Sequence, residues 1–245
     1  MNKIHFKNLD IEINNGELIG IIGATGSGKT YLLKMLCGKI KNDNIFIDNK
    51  CINEYSLDFK RKNIVSVLDY NIFNTDNVRS ELCYYLNKIN LSKEDRLEHF
   101  INYFKLDNII DKNFIDLSVE NRMFIKILSL LIINPKLFSI DDLLTYLSTD
   151  KKNMIFNYIK ENNITLLCVT SNVEELLLFD KILVMDKGKK RLFNSRENVL
   201  NNEEIFNELG LNLPFIYDIN SLLKSYDLIN SNHIVYKELV DILWK

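Results

Sequence analysis

Residues Gly23 to Thr30 read Gly-Ala-Thr-Gly-Ser-Gly-Lys-Thr and match GxxxxGK[ST] at every fixed position. Three of the chain's eight glycines fall inside this stretch, so backbone freedom is concentrated there. Before it, Glu17 to Ile22 is a short apolar run suited to a buried strand. After it, Tyr31 to Leu36 carries apolar residues at helical spacing. Strand, glycine loop and helix in that order commit the chain to an α/β architecture with a phosphate-binding loop. Glycines at 23, 26 and 28 let the amides of Gly23, Ala24, Thr25, Gly26, Ser27 and Gly28 turn inward around a phosphate chain. The following helix points its positive end at the same place. Lys29 is then placed to reach β- and γ-phosphate oxygens, and Thr30 to offer its hydroxyl to Mg²⁺. The competing reading is a tight strand-to-helix turn with a chance Lys-Thr; the flanking strand and helix weigh against it.

At 245 residues the chain can hold one large α/β domain, or a domain with a small appendage. Its 47% apolar and 26% charged residues are those of an ordinary globular protein. A net charge of −2 gives no reason to expect nucleic acid. Cys37, Cys51, Cys83 and Cys168 form no CxxC pair, and His5, His99 and His233 lie far apart, so neither a zinc site nor a disulfide framework is indicated. Reduced thiols in the cytoplasm are the simplest expectation. No stretch resembling a signal peptide opens the chain. The most apolar helical run, Phe124 to Ile133, is broken by Lys126 and falls short of the roughly 20 residues a membrane span needs. Any membrane role is therefore expected to come through a partner.

Ile4 to Ile13 alternates well enough to be a strand, and Asn14-Asn15-Gly16 is a turn signal, predicting an antiparallel pair that ends in the loop-bearing strand. Strands are expected at Ile45 to Ile47 and Ile64 to Leu68, and helices at Val78 to Asn87, Lys93 to Phe104 and Ser118 to Ile133. From Leu137 onward, buried-type strands (Leu137 to Ile140, Ile164 to Val169) alternate with helices (Lys151 to Lys160, Asn172 to Leu178), which argues for a parallel sheet packed by helices. Ile182 to Met185 and Lys190 to Phe193 flank a turn at Asp186-Lys187-Gly188-Lys189, as in a hairpin.

Asp141 follows the apolar strand directly. In a chain with a phosphate loop, that carboxylate sits where it can hold Mg²⁺ through water, and Asp142 is placed to polarise an attacking water. Taken alone, the acidic pair could instead cap the next segment.

With these pieces in order, the chain resembles the ATP-binding subunit of an ABC transporter over nearly its whole length. Leu117-Ser118-Val119-Glu120-Asn121 occupies the place of the family's LSGGQ signature, with Pro135 and the strand Leu137 to Asp142 following in register. Val67-Leu68-Asp69 stands at the Q-loop and Val169-Thr170-Ser171-Asn172 at the switch histidine. Glu208 to Phe215, an amphipathic helix and Glu238 to Trp244 are similar to the C-terminal extension of energy-coupling factor (ECF) transporter A components.

The resemblance implies a P-loop NTPase fold of ABC type: a mainly parallel sheet flanked by helices, antiparallel N-terminal strands, and a helical insert at about 78–135 carrying the signature-like segment. It implies a nucleotide-binding domain at 1–200 and a helical, dimerising extension at 201–245. The cofactors implied are ATP and Mg²⁺. The partners implied are a second ABC ATPase subunit, identical or paralogous, and an integral membrane transport subunit, which place the chain at the cytoplasmic face of the membrane. Ser118 would serve the partner's ATP, Asp69 would face the nucleotide and its Mg²⁺, and Asp142 and Ser171 would form the hydrolytic end. Phe6 is the aromatic candidate for stacking on adenine.

The departures matter as much. The family's catalytic Glu is Asp142, one methylene shorter; its switch histidine is Ser171; its Q-loop Gln is Asp69; both signature glycines are Val119 and Glu120; and Ser148 stands where an Asp is usual. Binding elements are intact and hydrolytic ones eroded, so slow turnover beside a more complete partner is expected. A nucleotide-gated scaffold without turnover stays open as an alternative. So does a small-molecule P-loop kinase, against which the singly spread Arg79, Arg96, Arg122 and Arg191 weigh.

Overall fold

The structure is a computed structural model and describes residues 1–68, 72–88, 94–226, 228–229 and 236–243. The chain opens with β1 (Lys3–Phe6) and β2 (Ile11–Asn14), an antiparallel hairpin in which Ile4 faces Ile13 and Phe6 faces Ile11. The single strand expected from Ile4 to Ile13 is thus two. Residues 7–10 make the turn, with Leu9 donating to the Phe6 carbonyl and Asp10 adopting a left-handed φ of 48°. Aspartate tolerates that conformation better than most residues, so the reversal needs no glycine.

β3 (Leu18–Ile22) leads into α1 (Lys29–Leu36), and the chain then adds β4 (Ile45–Ile47) and β5 (Lys50–Cys51) to the first sheet, giving the order β2-β1-β4-β5. The expected pairing of the first strand with the loop-bearing strand does not occur, because Asn14 to Gly16 carries the chain out of one sheet and into another. α2 (Leu57–Asn63) buries no residue and is fixed by Ser56, whose hydroxyl accepts from the Phe59 amide; with no apolar stripe, its sequence gave no helical signal.

β6 (Ile64–Val67) is followed by three helices, α3 (Val78–Lys88), α4 (Glu94–Phe104) and α5 (Val119–Leu131). Then come β7 (Leu137–Asp141), α6 (Thr149–Glu161), β8 (Thr165–Val169), a 3-10 turn over Val173–Leu178, and the hairpin β9 (Lys181–Asp186) and β10 (Lys189–Ser195). The second sheet runs β10-β9-β3-β8-β7-β6, parallel throughout except for β10. Strands β3 and β8 are buried at every position, as expected for strands covered on both faces.

One face of this sheet packs with α3 to α6 through Phe100, Phe124, Leu128 and Phe138, all within 2% of full burial. The other packs with α1 and the antiparallel sheet through Ile4, Phe6, Ile13 and Leu33. Gly20 lies where β3 meets Phe179: a Cβ there would stand 2.6 Å from Phe179 Cδ2, and that ring is fully buried. Gly20→Ala is expected to destabilise the fold by about 1–3 kcal/mol through overpacking. A urea midpoint equal to that of the parent chain would show that the ring yields freely.

The chain ends in α7 (Arg196–Leu200), α8 (Glu203–Glu208), α9 (Phe215–Ser225) and α10 (Tyr236–Leu243). Phe206, Ile216, Tyr217 and Leu239 share a core with Ile22, Ile182 and Val184, so these helices lean on the β3 and β9 side of the sheet. The apolar face expected along α9 divides: Ile216 is buried and Ile219 and Leu223 pack against this core, while Leu222 and Tyr226 are exposed. Among the described residues no helix is long and apolar enough to cross a membrane.

Candidate functional site

Three neighbouring strands end at one place. β3 runs into the Gly23 to Gly28 loop, β7 ends at Asp141, and β8 is followed by Thr170 and Ser171. Since β8 lies between β3 and β7 and runs parallel to both, their C-terminal ends converge at the edge where parallel sheets present ligands.

Backbone geometry builds the loop. Gly26 and Gly28 take φ of 80° and 98°, values closed to most side chains. Gly23 answers a different need, since a Cβ there would fall 2.1 Å from the Met185 carbonyl oxygen of β9. The turn of the β9–β10 hairpin braces the loop from the same side, its Gly188 amide donating to Ser27 O at 2.9 Å. Inside the loop, Lys29 Nζ donates to Gly23 O at 2.7 Å, to Ala24 O at 3.0 Å and to Ser27 Oγ at 3.3 Å. All three acceptors are neutral, and an ammonium gains by exchanging them for phosphate oxygens. Burial holds the Lys29 pKa below the ordinary lysine value, and the charges of Asp142 and Asp141 oppose that shift. Both carboxylates are therefore within electrostatic reach of the loop.

Thr30 Oγ1 donates to Asp141 Oδ1 at 3.2 Å, joining α1 to the end of β7. Burial pushes Asp141 above the usual carboxylate range, with the Thr30 hydrogen bond acting the other way. A hydroxyl and a carboxylate at this separation are hard oxygen donors that fit Mg²⁺, which takes few protein ligands and completes its shell with water and phosphate.

Asp142 adopts a φ of 55°, a left-handed conformation uncommon outside glycine, held by its amide donating to Val169 O at 3.0 Å. Its carboxylate meets Ser171, with Oδ1 accepting from the Ser171 amide at 2.9 Å and from Oγ at 2.8 Å. The two residues read from distant parts of the sequence are thus in direct contact. The serine hydroxyl has become this carboxylate's donor and would have to turn from it to meet anything else.

Among the described residues no hydrogen bond joins Ser118 to this group. It caps α5, its Oγ accepting from the Asn121 amide at 3.2 Å. The side chain of Glu120 turns onto the start of α6, accepting from the Ser148 amide at 2.9 Å and lying 3.2 Å from Lys151 Nζ, which also donates to Asn121 Oδ1 at 2.6 Å. The Ser148 amide, assisted by Lys151, holds the Glu120 carboxyl below its ordinary value. Its stabilising effect is thus present above 4.5 and is lost as pH falls through the depressed folded value. Glu120→Gln is expected to lower stability at pH 7 by less than about 1 kcal/mol, given how exposed the pair is. The difference from the parent chain should vanish in denaturation curves taken in acid, and a constant difference at all pH values would refute the assignment.

Asp69 lies outside the described residues. Phe6 is a correction: it is fully buried between the sheets and cannot reach a base. Its inward position follows from alternation with Ile4, a signal already in the sequence. Thr170, Lys152 and Glu175, which back the Asp142 and Ser171 contact, carry no sequence motif; the one available hint is the adjacent pair Glu174 and Glu175, set between Val173 and the apolar run Leu176 to Leu178.

A family model described as ABC transporter matches residues 6–145. The energy-coupling factor transporter ATP-binding protein EcfA1 of Oenococcus oeni is 26% identical over 251 residues, covering 98% of this chain and 91% of the relative. The protein of the same name from Staphylococcus aureus is 25% identical, covering 97% of this chain and 91% of its own length. Among solved structures, cbiO1 from Clostridium perfringens, described as part of the ABC transporter complex cbiONQ, superposes with a TM-score of 0.70 at 23% identity, over 89% of this chain and 98% of that one. A nucleotide-free ATP-binding cassette from an ABC transporter gives 0.69 at 20% identity, over 85% and 97%. At those identities the two structures speak for the fold.

Proposed function

Because this chain belongs to the ABC transporter family, whose model spans more than half of it, we propose that its β3–α1 loop holds Mg·ATP and that Asp142 and Ser171 form the hydrolytic end of the same pocket. The chain is an ATP-binding subunit that couples nucleotide binding to transport, of the energy-coupling factor kind. Lys29 and the loop amides would neutralise the β- and γ-phosphates, Thr30 and Asp141 would hold Mg²⁺ against them, and Asp142 would orient water. The observation that carries this reading is the convergence of Lys29, Thr30, Asp141, Asp142 and Ser171 on one sheet edge, from three separate stretches of sequence.

Ser118, on the helical insert, is read as facing the nucleotide of a second ATPase subunit; Asp69 is assigned to the Mg²⁺ side of this chain's own pocket. The extension at 201–245 is read as contacting the second subunit, since α9 keeps Leu222 and Tyr226 exposed. Membrane subunits would hold the pair at the cytoplasmic face of the membrane. Own turnover is expected to be slow: Asp142 is short, Ser171 brings no imidazole, and Glu120 is engaged with Ser148 and Lys151. The same three facts favour the scaffold alternative, in which ATP binding alone sets the assembly.

Two measurements test the proposal together. Calorimetric titration of the purified chain with Mg·ATP should show saturable binding, and affinity purification from detergent-solubilised membranes should recover a second ATPase subunit and an integral membrane subunit. Absence of Mg·ATP binding would remove the basis of the assignment.

A further inference from the structure

Behind the Asp142 and Ser171 contact lies a charged pair, a buried glutamate and a half-buried lysine, that the chemistry above leaves unused. Glu175, 3% exposed, sits on the 3-10 turn after β8. Its Oε1 accepts from Lys152 Nζ of α6 at 2.7 Å. Its Oε2 accepts from Thr170 Oγ1 at 2.6 Å. Thr170 is fully buried and is tied on two further sides: its amide donates to Ile21 O of β3 at 3.1 Å, and its hydroxyl oxygen accepts from the Asn172 amide at 3.0 Å. Ser171, the residue between, is exposed.

We propose that Thr170, held by the buried Glu175 that Lys152 pairs with, is the positioning residue that sets the Ser171 hydroxyl against Asp142. The proposal rests on the reading of Asp142 and Ser171 as the hydrolytic end of the site. An exposed serine has three staggered rotamers and little packing to choose among them. Its own amide is held by Asp142 Oδ1, and the Thr170 hydroxyl steadies the backbone on either side, anchoring its own residue to Glu175 and receiving the Asn172 amide. Hydrophobic residues would fill the same volume as the ion pair at least as stably; what the carboxylate adds is a directed acceptor at one place. Glu175 thereby links α6 to the hydrolytic edge without touching the reacting atoms.

Thr170→Val removes the hydroxyl at nearly the same volume and keeps the Lys152 contact to Glu175 Oε1, while Glu175 Oε2 loses its donor; Thr170→Ser keeps the hydroxyl. In the full chain without nucleotide, Thr170→Val should speed amide hydrogen exchange at Ser171 and Asn172 by at least about tenfold, with β8 residues 166–168 unaffected and Thr170→Ser close to the parent. In single-turnover hydrolysis at saturating Mg·ATP it should lower the rate by about tenfold, leave the calorimetric Kd within about twofold, and cost nothing further in a Ser171→Ala background. Unchanged exchange at Ser171 would overturn the proposal. So would equal hydrolytic losses with and without the Ser171 hydroxyl, or a Thr170→Ser variant as impaired as Thr170→Val. Should the parent chain hydrolyse nothing, the exchange measurement alone decides the positioning claim, and the hydrolytic reading fails separately.

Discussion

Lys29→Ala is expected to weaken Mg·ATP binding by at least about 100-fold while leaving the fold intact. In the structure the ammonium makes three hydrogen bonds inside the loop, to two carbonyls and a hydroxyl. With nucleotide bound, those contacts are exchanged for charge-assisted ones to phosphate oxygens, worth about 1.5–3 kcal/mol each. Losing two of them amounts to about 3–6 kcal/mol, and about 1.4 kcal/mol is a factor of ten in Kd. The fold has little stake in the side chain: Lys29 is half-buried, its burial already disfavours the charged form, and the loop is braced independently by Gly188 and Ser27. Calorimetry and thermal denaturation on the same preparation separate the two effects. Undiminished affinity in the variant would show that the nucleotide is held elsewhere; a collapsed Tm would show that the lysine is structural.

The second large effect concerns turnover. Asp142→Glu is expected to raise single-turnover hydrolysis by about ten- to a hundredfold with Kd unchanged, because errors of about 1 Å in the placement of a catalytic group cost on the order of 10²-fold. The longer side chain carries the carboxylate one methylene further from the backbone while leaving it within reach of the Ser171 hydroxyl that now engages it. There is a cost in stability, since Glu tolerates the left-handed φ of 55° less well than Asp, at roughly 1 kcal/mol. That penalty is small beside the rate effect, and denaturant titration reads it separately. A flat rate in this variant, with binding preserved, would place the chain among nucleotide-gated scaffolds.

Much of this site was legible because its parts are local in sequence. The phosphate loop needs glycines, a lysine and a threonine at fixed spacing, and Asp141 closes a buried strand whose preceding residues are Leu137, Phe138, Ser139 and Ile140, so short-range pattern sufficed. The parallel sheet was legible for the same reason: β3 and β8 are covered on both faces and read as near-continuous apolar runs, interrupted only by Gly20 and Thr165. Other features depend on residues distant in sequence. Lys152 and Glu175 are 23 positions apart, and their pairing follows from how α6 packs on the turn after β8. The fate of Glu120 could not be read beforehand, because its acceptor role is set by Ser148, 28 residues away. The β1–β2 reversal is marked only by a shift in the phase of the alternation, from apolar residues at 4 and 6 to apolar residues at 9, 11 and 13, and α2 leaves no apolar stripe because it buries nothing.

Lys151 and Lys152 occupy consecutive positions near the start of α6, one gripping Glu120 and Asn121, the other gripping Glu175. Consecutive residues on a helix project about 100° apart, so one turn of backbone reaches in two directions. That turn of α6 therefore ties the start of α5 to the 3-10 turn that follows β8. Rotation of this cylinder would load both grips at once, as a crankshaft loads its two rods.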